Sequence, residues 1–301
     1  MSKNLEFMDD AALENHIKAG KIASEVREHS RSIVKPGASL LAIAEEIEEM
    51  IRQKGGEPAF PLNLSVNDLA AHYTPYKNDP VIVPEKAIIK VDVGVHVDGY
   101  VADTAHTLCF DEKLMPLAEA SRVALDNAIE KVKPGVLLSD VSSAIDEAIT
   151  GYGFKPVSNL TGHGLERYYL HAEPQVPNVK FKSDYRLVEG QVIAIEPFAT
   201  NGAGRIKETE PTLIYMVVEN KYGRNQDGRT IMRFAERYNG LPFAERWLPI
   251  DSRVKIRIAM KELIERGAIY EYPPLKEVAS GMVSQHEHTV IVQDPPIVIT
   301  K

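Results

Sequence analysis

Five residues in this chain have the types and positions to hold metal ions: Asp92, Asp103, His163, Glu196 and Glu287. Asp92 and Asp103 lie in the stretch Val91 to Thr104, where apolar residues alternate on both sides of Asp98-Gly99, a strong signal for a two-residue hairpin turn. Such a turn pairs Val97 with Tyr100 and sets Gly94 opposite Asp103. Asp92 then becomes a diagonal neighbour on the same face, about 7–8 Å away at the α-carbon. Two carboxylates on a half-buried sheet repel each other, and Gly94 leaves room between them for a divalent cation. Glu196 closes the apolar run Val192–Ile195, and Glu287 opens the run that ends at Val292, so each puts an acid at a strand end. His163 stands between Gly162 and Gly164, a loop that lets an imidazole approach a ligand closely. Four carboxylates balance two divalent ions and leave a bridging hydroxide as the only excess charge. Mostly oxygen donors with one nitrogen suit manganese, iron, cobalt or zinc. Paired metals of this kind generate hydroxide and polarise a scissile carbonyl, which is hydrolytic chemistry.

The elements that must position these residues occur twice. Val34-Lys35-Pro36-Gly37 returns as Val132-Lys133-Pro134-Gly135, and each copy joins two amphipathic helices. The first pair begins near Asp9, with Leu13, Ile17, Ile22 and Val26, and resumes with Leu40, Ile43 and Ile47 until Lys54-Gly55-Gly56 stops it. In the second pair Pro116 opens a helix to about Lys131, and Ser139 caps another that Gly151 ends. A His-bearing loop and an apolar strand follow each pair: His72 before the strand with Asp92, then His163 and His171 before the strand that reaches Glu196. Two similar halves, about 1–115 and 116–301, are therefore expected to face each other with the acids between them.

The second half is interrupted at 218–267 by a segment with its own helical pattern, Ile231, Phe234, Ala235 and Tyr238, then Ile256, Ala259, Leu263 and Ile264. Between Lys221 and Arg266 eleven Lys or Arg stand against six Asp or Glu, so this insert is near +5 while the whole chain is −8. It reads as a winged-helix-like module set into a catalytic domain formed by 1–217 and 268–301. Composition is that of a soluble globular protein, and the net charge argues against global attraction to nucleic acid. No run is long and apolar enough to span a bilayer, and the N-terminus turns acidic where a secretory signal would need an apolar core. A cytoplasmic protein is expected. Cys109 is the sole cysteine, so any metal is held by His, Asp and Glu.

The segment Phe60 to Pro75, Asp92 with Asp103, Gly162-His163, His171, Ile195-Glu196-Pro197-Phe198, Tyr272-Pro273-Pro274-Leu275 and Glu287-His288-Thr289 together resemble the type II methionine aminopeptidases, the archaeal members most. The resemblance covers nearly the whole chain. It implies the α+β pita-bread fold, with pseudosymmetric halves around a two-metal site and a helical insert. It also implies removal of the initiator methionine from nascent proteins and peptides with a small second residue, by a hydroxide bridging two divalent metals. Asp92 would ligate one metal, His163 and Glu196 the other, and Asp103 and Glu287 would bridge both. Glu196 would shuttle the proton, His171 would hydrogen-bond the scissile carbonyl, and His72 would meet the substrate near the new amine. Phe60, Leu170, Phe198 and Tyr272 match positions that line the methionine pocket.

His286 departs from the aromatic expected before the bridging glutamate. His286, His288, His106 and His96 are read as structural, and His16 and His29 as solvent-facing. Two other readings share the fold. One is a proline-specific aminopeptidase or prolidase, suggested by His171-Ala172-Glu173-Pro174, and the other is a non-enzymatic binding homologue, which the complete donor set opposes. The partners expected are peptide and nascent-chain N-termini, no membrane, and ribosomal RNA contacted by the basic insert. A complete site within one chain predicts a monomer.

Overall fold

The computed structural model describes residues 8–301; residues 1–7, where the argument against a secretory signal begins, lie outside it. Helix α1 (Asp10–Ile33) starts where the Asp9 carboxylate accepts from the Ala12 amide at 2.7 Å, and α2 (Leu40–Gln53) follows the cap Ser39. Helices α3 (Met115–Ile129) and α4 (Leu138–Gly151) form the second pair. Ser139 does not cap α4: the cap position is Leu137, which offers no side-chain bond, and Ser139 lies one residue inside the helix.

The repeat is visible in individual hydrogen bonds. Gly37 and Gly135 have φ of +85° and +82°, and their amides donate to the carbonyls of Val83 and Leu187, each at 2.8 Å. The next pairs correspond too, Val83 to Ala38 and Leu187 to Val136, both at 2.9 Å. Each half thus hooks its second helix onto a later extended segment by the same backbone device.

Strands Ile88–Val97 and Tyr100–Cys109 form the expected hairpin, with Val97 opposite Tyr100 and Gly94 opposite Asp103. Asp98 and Gly99 both take positive φ, 51° and 85°, as a type I′ turn requires. Asn63–Val66 pairs with the other edge of Ile88–Val97 and sets Asn63 opposite Asp92. Val91, Val93 and Val95 are buried with Ile22, Val26, Leu40 and Ile47 from α1 and α2. In the second half an antiparallel sheet runs in the order Ile297–Val298, His288–Ile291, Val192–Ile195, Thr161–Glu166, Tyr169–Pro177. Its Ile193, Ile195 and Val290 join Leu117, Ala124, Val141 and Ile145 of α3 and α4 in a second core. Burying each such Ile or Leu stabilises by roughly 1.5–3 kcal/mol, so each helix pair is held to its own sheet.

The two sheets meet edge to edge. Ala105 and Glu287 exchange backbone bonds, Glu287 N to Ala105 O at 2.9 Å and Ala105 N to Glu287 O at 3.3 Å. Thr289 Oγ1 accepts from the Asp103 amide at 2.7 Å and donates to its carbonyl at 2.8 Å. The strand expected to open at Glu287 begins at the next residue: His288–Ile291 pairs with Val192–Ile195, while Val283–Gln285 before it pairs with Phe198–Thr200. His286 and Glu287 are the crossing residues.

Strands Ile214–Val217 and Ile269–Tyr272 pair with each other and bracket the insert, and Phe243–Ala244 adds a third strand. Helices α5 (Gln226–Ala235) and α6 (Arg253–Glu265) pack over them around Ile231, Phe243, Ala259 and Leu263. Tyr215, Ala268 and Ile269, outside the segment read from sequence, belong to the same cluster.

Candidate metal centre

The hairpin turn and the seam bring the acids together. One donor atom each from Asp103, His163 and Glu287 lies within 4.8 Å of the others. His163 Nε2 is 3.8 Å from Asp103 Oδ2 and 3.7 Å from Glu196 Oε1. The Nδ1–H of His163 donates to the Gly164 carbonyl at 3.1 Å, which fixes the tautomer and leaves the Nε2 lone pair facing the carboxylates. Burial, with His171 alongside, lowers the His163 pKa to about 3, so the ring is neutral and fit to ligate.

All four carboxylates are pushed the other way. Burial raises each of them, and mutual repulsion adds to it: Asp92 and Glu196 act on Asp103, Asp92 on Glu196, and Asp103, Glu196 and Asp92 on Glu287. Asp92 Oδ1 and Asp103 Oδ1 are buried without a hydrogen-bond partner. Four clustered acids, two orphaned carboxylate oxygens and one oriented neutral imidazole are a donor set that divalent cations fit.

A cavity of about 200 Å³ opens on these donors, and every residue selected from sequence lines it: Asp92, Asp103, His163, Glu196 and Glu287, then His72 and His171, then Phe60, Leu170, Phe198 and Tyr272. Tyr272 Oη lies 3.4 Å from His171 Nδ1, and the His163 and His171 rings meet edge to face at 4.7 Å. His72 has φ of +64° and its Nδ1 sits 3.3 Å from the Pro273 carbonyl.

Four expectations are corrected. Gly94 does not make room for a cation: a Cβ there would lie 2.2 Å from Phe60 Cε1, so the space holds an aromatic ring. His163 and His171 are on strands, not loops, and a Cβ at Gly162 or Gly164 would lie 2.3 Å from Ala194 O or 2.2 Å from Glu173 O, so the glycines serve strand packing. His16 is buried at 3% exposure, 3.0 Å from the Val101 carbonyl. His29 is half-buried beside Glu46. The remaining histidines fit the structural reading, with His106 against Ser30 Oγ, His286 against Ser121 Oγ, His288 against Thr300 Oγ1 and His96 accepting from the Gly99 amide.

Sequence reasoning missed Asn63, Ile214 and Pro242 in the cavity wall, and Gln285 behind it. Gln285 Nε2 donates to Glu196 Oε2 at 3.2 Å and Glu287 Oε2 at 3.3 Å. The position of Gln285 two residues before Glu287 was the available signal, since residues two apart on a strand share a face.

The pattern of metallopeptidase family M24 matches residues 14–294. The chain belongs to metallopeptidase family M24. A family M24 relative from Thermococcus onnurineus (strain NA1), named methionine aminopeptidase, is 49% identical over 287 residues, 94% of this chain and 97% of its own. The methionine aminopeptidase of Thermococcus kodakarensis (strain ATCC BAA-918 / JCM 12380 / KOD1) is 50% identical over the same shares. The crystal structure of a methionine aminopeptidase from Thermotoga maritima superposes with a TM-score of 0.73 at 23% identity, covering 98% of this chain and 99% of that one. The architecture is the pita-bread fold of family M24, and the chain is a metal-dependent hydrolase of that family.

Proposed function

We propose that the chain is an exopeptidase that removes the N-terminal methionine of peptides and nascent proteins whose second residue is small. The observation that carries this reading is a small cavity with one apolar wall, Phe60, Leu170 and Phe198, against a wall of clustered acids and histidines. At about 200 Å³ it is small beside the 300–1,000 Å³ of ordinary ligand pockets, which suits one terminal side chain and not an extended segment. Asp92, Asp103, His163, Glu196 and Glu287 would hold two divalent cations. When bound, such cations supply Lewis acidity toward a carbonyl and lower the pKa of water.

The chain's own groups do the rest. Glu196, steadied by Gln285, takes a proton from the attacking water and returns it to the departing amine. His171, held beside the Tyr272 hydroxyl, donates to the scissile carbonyl oxygen as negative charge grows there. The Nδ1–H of His72 is engaged by Pro273 O, which leaves its Nε2 to accept from the substrate near the new amine. The apolar wall excludes a charged first residue.

The test is release of methionine from Met-Ala-Ser and of alanine from Ala-Pro-Ala, after EDTA treatment and again after addition of Mn, Co, Fe or Zn. Metal-restored cleavage of the first peptide alone is expected. Cleavage of the second alone would assign the proline-peptidase activity, and no cleavage with any metal would leave the binding-protein reading.

For the insert we propose electrostatic contact with ribosomal RNA through outward cations, among them Arg224, Arg233, Arg237 and Arg257, which are exposed. Reversal of Arg229, Arg233 and Arg237 to glutamate should abolish co-sedimentation with ribosomes at low salt, and unchanged co-sedimentation would sink the idea.

A further inference from the structure

We propose that Arg246 is a positioning residue through which the inserted module holds the substrate-binding wall in shape, an inference that rests on the aminopeptidase reading of the cavity. Glu48 on α2 and Arg246 of the insert form a buried ion pair, their side chains 3% and 4% exposed. Glu48 Oε1 accepts from Arg246 Nη2 and from the Leu62 amide at 3.0 Å, and Oε2 accepts from Trp247 Nε1 at 2.8 Å. The other arm of the guanidinium, Nη1, donates to Thr74 Oγ1 and to the Pro75 carbonyl at 3.0 Å. Thr74 Oγ1 in turn donates to the Leu62 carbonyl at 2.8 Å. The bonds close a ring from Glu48 through Leu62, Thr74 and Arg246 back to Glu48.

Three of the four ring residues stand within four positions of a cavity residue in the chain. Phe60 and Asn63 flank Leu62, His72 is two residues before Thr74, and Pro242 is four residues before Arg246. His72 holds a φ of +64°, a conformation that a non-glycine residue keeps only where its surroundings enforce it. The Leu64 amide also bonds to the Tyr73 carbonyl at 2.7 Å, so the ring and this bond pin both ends of the turn that aims His72. A buried ion pair is poor economy as a source of stability, because desolvation offsets the attraction and apolar packing would serve as well. What the fork of an arginine adds is direction: five fixed donors set the relative position of three backbone segments. Arg253 supports the same seam, paired with Glu245 at 2.6 Å and stacked 3.8 Å from the Tyr76 ring.

No ring residue lines the cavity or is one of the five residues proposed to hold metal, so the ring acts on the wall through the backbone that carries Phe60, Asn63 and His72. Thr74→Val removes the hydroxyl that links Leu62 to Arg246 while leaving the ion pair, and Arg246→Lys keeps the charge but loses the fork. Both variants of the full chain should fold, raise KM about five- to tenfold, keep kcat within about twofold, and leave divalent-metal affinity by calorimetry within about twofold. Binding of free methionine, measured calorimetrically without turnover, should weaken by the same factor as KM. Thr74→Ser, which keeps the hydroxyl, should restore the wild-type values. KM is measured on whichever of Met-Ala-Ser or Ala-Pro-Ala the wild type cleaves, so failure of the methionine reading is seen in the wild type and failure of this inference in the variants. Unchanged KM and methionine affinity in Thr74→Val and Arg246→Lys would overturn the proposal. So would a joint fall in kcat, metal affinity and substrate binding, which would mark the ring as general scaffolding.

Discussion

In the proposed reaction Glu196 would serve both the cations and the proton in flight; the Gln285 amide at 3.2 Å engages one of its oxygens while the other lies 3.7 Å from His163 Nε2. Glu196→Gln keeps the shape and removes both the charge and the proton carrier. It should lower kcat by about 100-fold or more, the usual worth of a general acid–base. Kinetics on Met-Ala-Ser with calorimetric metal titration would check this, and a kcat within threefold of wild type would remove Glu196 from the proton path. His16 offers a prediction remote from the centre. Burial lowers its pKa from 6.5 to about 4, so it is neutral in the fold and protonated first in the unfolded chain. Stability from this residue is therefore full above about pH 6.5 and is lost as pH falls toward 4, about 3 kcal/mol in all. His16→Gln retains a donor to the Val101 carbonyl, and urea unfolding should show the wild type losing about 2 kcal/mol more than the variant between pH 7 and pH 5. Equal losses would contradict the assignment. The clustered acids were legible in sequence, Glu196 and Glu287 because an acid at the end of an apolar run has no packing rationale, and Asp92 and Asp103 because the Asp98-Gly99 turn sets them on one face. His16 was not: its burial comes from the strand that α1 covers, and helical periodicity around Ile17 carries no trace of it.

At the scale of elements, helices were legible from apolar spacing and punctuation, and α1, α2 and α3 start within a residue or two of Asp9, Leu40 and Pro116. The hairpin register followed from Asp98-Gly99 alone, because a two-residue turn fixes every pair behind it. Glu287 was legible as a strand start, but the change of partner strands across His286-Glu287 was hidden, since apolar alternation does not say which strand lies alongside. The paired Pro-Gly turns give the repeat an energetic test. A Cβ at Gly37 or Gly135 would meet no atom within 4 Å, so substitution there tests backbone conformation and not packing. With φ of +85° and +82° the two sites carry the same strain, and Gly37→Ala and Gly135→Ala should each cost about 1–2 kcal/mol. Thermal unfolding of the two variants should show closely matched falls in Tm. A loss at one site and none at the other would mean that the turns are not equivalent parts of the two halves.

For the whole molecule the decisive arrangement is that one cavity is lined from both halves, by Asp92 and Asp103 of the first and His163, Glu196 and Glu287 of the second, the residues proposed to hold metal. Cations held between them would act as a cross-link as well as a reagent. The halves do not depend on that cross-link alone, because Ala105 and Glu287 already pair through the backbone, and Asp103 is tied to Thr289. The insert is likewise fastened to the first half, since Arg246 and Arg253 turn inward to Glu48 and Tyr76; a count of charges along the sequence assigns those two cations to the surface, and only the fold removes them. EDTA should therefore lower Tm without dividing the transition. A metal present at about 100 times its Kd stabilises the folded chain by about 2.7 kcal/mol. At a few degrees per kcal/mol for a chain of this size, removal should lower Tm by about 5–10 °C, and Mn, Co, Fe or Zn should restore it. Calorimetric scans would show one cooperative peak that moves with metal. An unmoved peak would mean that the five donors hold no cation that matters to the fold, whereas a peak that splits in EDTA would mean that metal, and not the Ala105–Glu287 seam, joins the halves.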